Sequence, residues 1–218
     1  MYLRFLYGRK VAIAAALALS AAAHGATIFS ENFNAATPGP TYGIGNIAGT
    51  GLRVSGGNID IFGNVGGNYF SCNVEPNNNC LDLNGSVPGT IETIATYNLV
   101  AGSTYSATFR STASGAFSSL VFNSKVLLGS QSLNFTDTQT SSTGYLWTNR
   151  MLSFVAAANE NNVRLSFQAL NNPGIQAGAL IDDIVLTESA GAVGTPEPGT
   201  AMLGAAGLAA LFAFRRKR

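Results

Sequence analysis

Short runs of alternating apolar and polar residues, separated by glycine, asparagine, proline and serine, fill the middle of this 218-residue chain. They lack the period of an amphipathic helix, whereas alternation with period two is typical of strands with one buried face. The runs predict strands at residues 27–29, 59–62, 80–83, 90–100, 103–110, 120–122, 125–128, 133–136, 146–155, 163–169 and 179–187, with a hairpin turn at Asn123-Ser124. Around ten short strands of this kind predict an all-β fold, a β-sandwich or jelly roll.

The predicted strands belong to one domain, residues 27–188, which is long enough to enclose a hydrophobic core. Between residues 27 and 190 there are five basic and ten acidic side chains, which gives a net charge of −5. An acidic surface repels a phosphate backbone, so nucleic acid is excluded as a partner.

The first 26 residues have the composition of a secretory signal peptide. Arg4, Arg9 and Lys10 precede an apolar run at 11–23, and small residues follow it. This order of basic, apolar and small residues predicts export, with cleavage at about residues 23–26. An uncleaved anchor is the alternative, but the run is short for a membrane span.

The C-terminal segment has three unlike parts, which follow a Gly/Ala linker at 189–194. Pro196, Glu197 and Pro198 form a stiff extended tripeptide, because each proline ring fixes its own φ. An uncharged apolar run at 199–214 comes next, and it predicts a transmembrane helix. The last four residues are cations, which is typical of the cytoplasmic flank of a membrane segment: Arg215, Arg216, Lys217 and Arg218.

In its order of parts, the segment 195–218 resembles the PEP-CTERM sorting signal of Gram-negative bacteria. The resemblance implies recognition by an exosortase, a membrane protease/transpeptidase. It also implies transient residence in the inner membrane and delivery to the cell surface, commonly in bacteria that make exopolysaccharide. A plain tail anchor with a proline-rich hinge is the alternative.

The chain contains two cysteines, Cys72 and Cys80, separated by a loop rich in proline and asparagine. In an oxidising compartment such a pair predicts a disulfide, which would stabilise the domain by about 2 kcal/mol. Free thiols are the alternative. A metal site is disfavoured because it needs about four ligands and no histidine lies nearby.

A second resemblance extends over most of the domain. The segments at 80–85, 99–105, 163–167 and 180–186 look like those of galactose-binding-like jelly rolls, a layout that many carbohydrate-binding modules share. In related jelly rolls an acid of the first strand and an aspartate of the last strand hold a structural Ca²⁺. The resemblance therefore implies Glu31 with Asp183 or Asp182 as calcium ligands, and a capped or solvated carboxylate pair is the alternative reading of the two aspartates. No other cofactor is expected.

Candidate catalytic residues are few. His24, the sole histidine, lies at the predicted cleavage region, which argues against Ser-His-Asp and Cys-His catalysis in the mature domain. Carboxylate pairs of the glycosidase kind remain, either Asp60 with Asp82 or Asp82 with Glu92, although nothing in the sequence selects one.

Two aromatic residues are candidates for sugar stacking. Tyr145 and Trp147 share one face of a predicted strand, and amphipathic rings suit the faces of sugars. A single tryptophan in a sandwich is more often part of the core.

These observations together predict an exported, exosortase-sorted protein of the cell surface or extracellular matrix. Its β-sandwich is expected to have a non-catalytic binding or structural role, facing exopolysaccharide in a biofilm. The alternative is a secreted carbohydrate-active enzyme or a dedicated lectin. A groove with two opposed carboxylates would favour the enzyme, and an exposed row of aromatic rings would favour the lectin.

Overall fold

All regular secondary structure in the described part of the chain is β. A computed structural model describes residues 25–63, 72, 78–114, 119–138, 146–172 and 177–191. The strands are β1 (Ala26–Glu31), β2 (Gly39–Tyr42), β3 (Gly45–Asn46), β4 (Leu52–Gly56), β5 (Ile59–Gly63), β6 (Asn79–Asp82), β7 (Thr90–Thr93), β8 (Tyr97–Leu99), β9 (Thr104–Ala113), β10 (Val121–Leu128), β11 (Gln131–Thr138), β12 (Thr148–Val155), β13 (Glu160–Val163), β14 (Leu165–Ala169) and β15 (Ala179–Ser189).

Two antiparallel sheets form the layers of a sandwich, as the sequence predicted. One has seven strands in the order β12-β9-β15-β6-β5-β2, with β1 added on β15. The other has six strands in the order β11-β10-β14-β7-β4-β3, and β13 and β8 form a separate pair. Neighbours in a sheet are often distant in sequence, which is typical of jelly rolls rather than simple hairpin meanders.

The core lies between the sheets, and on several strands it follows their alternation. On β9 every second residue from Tyr105 to Ala113 is buried. Phe109 on this strand contacts the ring of Phe167 from β14 edge-on, with centroids 5.0 Å apart, and the ring of Phe135 from β11 at 5.1 Å. Tilted and edge-to-face aromatic pairs of this kind stabilise beyond their buried area, and here they join the two sheets.

The last strand, β15, lies inside the seven-stranded sheet and changes partner along its length. It pairs with β6 at Leu180 and Ile181, and with β1 from Ile184 to Glu188. Its register with β9 shifts between Asp182 and Val185. Asp183 has a φ of 50° at this bulge, a left-handed conformation that aspartate tolerates better than most residues. The bulge therefore marks where one partner strand ends and the other begins.

Three predicted strand boundaries were wrong. The segment 90–100 divides into β7 and β8 in different sheets, and the segment 163–169 is interrupted at Arg164. Asn123 and Ser124 are not a turn, because β10 runs through them and Ser124 faces inward with 1% exposure. The turn lies instead at Gly129, where φ is 58°. The continuous alternation from Phe122 to Leu128 outweighed the local turn preference of the Asn-Ser pair.

Candidate functional site

A pocket of about 470 Å³ lies where β12, β9 and β15 meet at the bulge. Arg110 of β9 lines this pocket and supplies hydrogen-bond donors to it. Strand β12 contributes Asn149 and Met151 to the lining. Thr108 and Asp183 also line the pocket, and we call this site the Arg110 pocket. Asp183 reaches the pocket because the bulge turns its side chain outward, leaving it about half exposed.

Both adjacent aspartates lie beside the Arg110 guanidinium. Asp183 Oδ2 is 2.7 Å from Arg110 Nε, and Asp182 Oδ2 is 3.6 Å from Arg110 Nη2. Asp182 is fully buried and also accepts hydrogen bonds from Asn78 Nδ2 at 3.0 Å and from the Asp183 amide at 2.8 Å. Burial raises the pKa of Asp182 to about 6, while its hydrogen bonds and Arg110 partly oppose that rise. The arginine is therefore fixed in place rather than free to swing.

Trp147 packs beside the same arginine. The Arg110 guanidinium lies over its ring, with Cζ 5.3 Å from the centroid. The ring also packs against a small cluster that contains Cys72, Cys80 and Leu180. Trp147 is partly buried in this cluster, which is separate from the main core between the sheets. Its role in sugar stacking stays a prediction, and its suggested companion Tyr145 lies outside the described residues.

The predicted disulfide between Cys72 and Cys80 is present. Both cysteines are fully buried, and Phe62 packs against them from the neighbouring strand β5. The bridge therefore fixes residue 72 against the outer face of the seven-stranded sheet, next to Trp147.

The residues implied as calcium ligands are already engaged by protein groups. Glu31 accepts hydrogen bonds from the amides of Phe33 at 2.8 Å and Gly51 at 3.0 Å. It lines a surface pocket of about 300 Å³ together with Asp183, whereas Asp182 is buried against Arg110 and Asn78. Within the described ranges no group of three or more His, Cys, Asp or Glu side chains is placed to hold a metal. A calcium at Glu31 and Asp183 stays a prediction.

Of the two carboxylate pairs considered from the sequence, the fold brings Asp60 and Asp82 together. They lie directly opposite each other on β5 and β6. Asp82 is fully buried and its pKa is raised to about 8, mainly by burial, with the charge of Asp60 adding to the rise. Glu92 lies in the other sheet, where it pairs with Arg53 and Arg164.

Sequence reasoning did not identify Arg110, Asn149, Thr108 or Met151 as site residues. One signal was available, because Arg110 is a lone cation within the strand Thr104–Ala113. What makes it a site residue is the bulge in β15, and that depends on strand pairing rather than on local sequence.

Residues 195–218 match the family model described as the PEP-CTERM protein-sorting motif. The tail is a PEP-CTERM sorting motif. Its residues, including Pro196, Glu197, Pro198 and the basic end 215–218, lie outside the described part of the structure, as does the predicted membrane segment. In the described part, no helix is long and apolar enough to cross a membrane.

Several solved structures are similar to the chain in strand arrangement, while no curated protein matches it in sequence. An arabinose-bound MgGH51 α-L-arabinofuranosidase is 15% identical with a TM-score of 0.46, over 71% of this chain and 26% of the enzyme. The CBM22-1-CBM22-2 tandem domain of Paenibacillus barcinonensis Xyn10C is 12% identical with a TM-score of 0.43, over 82% of this chain and 49% of that one. TmCBM61 in complex with β-1,4-galactotriose is 12% identical with a TM-score of 0.41, over 72% and 94%. The chain thus spans about a quarter of the length of the arabinofuranosidase and about half of the length of the tandem CBM22 domain.

Proposed function

We propose that this chain is an exosortase substrate that is exported to the cell surface or extracellular matrix of a Gram-negative bacterium. The PEP-CTERM motif at 195–218 carries the proposal. In this proposal residues 1–26 are a signal peptide, 27–188 the sandwich, 189–194 a linker and 199–214 a transient membrane helix. Secretion machinery and the exosortase are the partners during delivery.

Intact-mass analysis of the chain recovered from the envelope and medium of its host tests this proposal. We expect a mass that lacks about the first 25 residues and everything after the PEP region. A mass that retains residues 199–218 would refute exosortase processing and leave a simple membrane anchor.

The sandwich itself is proposed to be a non-catalytic binding module that faces exopolysaccharide in a biofilm. The Arg110 pocket supports this proposal, because it combines hydrogen-bonding side chains of Arg110, Asn149 and Asp183 with the exposed thioether of Met151. Small-molecule sites commonly combine a few fixed polar groups with apolar surface. A glycosidase is disfavoured because Asp82, one half of the only candidate pair that the fold assembles, is fully buried and out of reach of a polysaccharide.

Affinity electrophoresis in gels that contain purified host exopolysaccharide tests the binding role. We expect the polysaccharide to retard the chain and Asn149→Ala to reduce that retardation several-fold. Asn134→Ala is the matched control, because Asn134 is exposed on β11 in the other sheet. Equal retardation of both variants and the wild type would exclude the Arg110 pocket as the binding site.

A further inference from the structure

Asp82 on the seven-stranded sheet has two oxygen-bearing neighbours, away from the Arg110 pocket. Asp60 on β5 is directly opposite Asp82 on β6, so both side chains point to the same face of the sheet. Asn84 follows two residues after Asp82 and is 1% exposed. We call these three residues the Asp82 cluster.

Asp82 and Asn84 are held against the same piece of backbone. Asp82 Oδ1 accepts a hydrogen bond from the Asn84 amide at 2.8 Å, and Asp82 Oδ2 accepts one from the Gly178 amide at 3.1 Å. Asn84 Nδ2 donates to the carbonyl of Ala177 at 2.9 Å. A Cβ at Gly178 would lie 2.5 Å from both Asp82 Oδ1 and Asn84 Cβ. Glycine is therefore required for the two side chains to converge here.

The Asp82 cluster has more hydrogen-bond acceptors than donors. Asn84 Oδ1 and Asp60 Oδ1 are both buried, and neither has a hydrogen-bond partner in the described structure. The ion pairs found among the described residues include neither Asp60 nor Asp82, so no arginine or lysine balances the two carboxylates. Buried acceptors without partners and adjacent carboxylates without a cation are both costly. A bound cation would remove both costs at once.

We propose that Asp60, Asp82 and the side-chain oxygen of Asn84 bind a hard divalent cation of the Ca²⁺ class. Carboxylate and amide oxygens are the ligands that this class prefers, and water can complete the six to eight ligands it takes. Asp60 is only half-buried, so the cation can enter from its side. The site is distinct in position from the one implied at Glu31 and Asp183, which belong to β1 and β15.

Calcium titration of the purified full chain, monitored by calorimetry and by thermal unfolding, tests the proposal. Extracellular calcium modules have Kd values of about 10⁻⁴ to 10⁻³ M. At a calcium concentration about 100 times Kd we expect the melting temperature to exceed that in a chelator by about 5–10 °C. Asp60→Asn keeps the shape of the side chain, and we expect it to raise the Kd for calcium at least tenfold.

Glu31→Gln is the matched control, because it changes an acid of the other candidate site in the same isosteric way. It should leave the calcium affinity unchanged. The proposal is overturned if calcium produces neither heat nor a thermal shift, since a proton or a water molecule would then satisfy the cluster. It is also overturned if Glu31→Gln, rather than Asp60→Asn, abolishes binding.

Discussion

Replacing Arg150 with methionine should destabilise the sandwich far more than removing an exposed arginine. Arg150 belongs to β12, the edge strand of the seven-stranded sheet, and its guanidinium reaches β11, the edge strand of the other sheet. There Nη2 lies 2.9 Å from Asp137 Oδ1 and donates to the Thr136 carbonyl at 2.9 Å, while Nε donates to Ser111 Oγ at 3.1 Å. One side chain thus joins the two layers at their edge.

The size of the effect follows from what Arg150→Met would leave behind. The Asp137 side chain is only 4% exposed, so its charge would remain buried with the Ser111 hydroxyl as its remaining side-chain donor. Loss of one partner from a buried ion pair costs about 3–5 kcal/mol. Because the Arg150 side chain is 24% exposed, water can enter in its place, and we expect the lower end, about 3 kcal/mol.

Urea unfolding, followed by the fluorescence of the single tryptophan, measures this cost as a lower midpoint at unchanged slope. Arg53→Met is the control, because the Arg53 side chain is 43% exposed in its pair with Glu92, and we expect it to cost less than about 1 kcal/mol. Adding Asp137→Asn to Arg150→Met should restore at least about half of the loss, since the uncompensated charge disappears. Equal costs for the two arginines, or no recovery in the double variant, would refute the reasoning.

Two further predictions concern the outer face of the seven-stranded sheet. Replacing Cys72 and Cys80 together with alanine should lower the free energy of unfolding by about 2.5 kcal/mol, because the bridge closes a loop of sequence separation 8; an unchanged urea midpoint would contradict this. Since the pKa of Asp182 is raised to about 6, the folded state holds a proton that the unfolded state releases between about pH 4 and 6. The stability that this group contributes is therefore full below about pH 4 and is lost as pH rises through 6. The melting temperature of Asp182→Asn should consequently rise relative to that of the wild type between about pH 4 and 6. Melting temperatures of the two proteins that change in parallel with pH would argue against this.

The local sequence was sufficient to predict the fold class and the disulfide. Strand alternation is a property of neighbouring residues, and two cysteines in an exported chain leave one intramolecular pairing. The sorting motif was equally readable, because its order of parts lies within 24 consecutive residues.

The arrangement of the candidate sites was not readable in the same way. Asp60 and Asp82 were one of two pairs suggested by composition, and only the register of β5 on β6 selects them. Arg110 acquires its partners because β15 bulges between Asp182 and Val185. Both facts depend on pairing between strands that are distant in sequence. Alternation determines which face of the sheet a residue takes, but not which distant strand lies beside it.

The position of β15 sets the order in which the domain can be completed. Synthesis delivers β1 first, yet its partner strand in the sheet is the last one, with Ala26 facing Glu188. The central ladder of β9 must likewise wait for residues 179–189. Contacts between such distant segments make folding slow, and the sorting motif begins six residues after β15 ends. The seven-stranded sheet therefore cannot close until residues 179–189, which lie just before the sorting motif, are available to pair with β9 and β1.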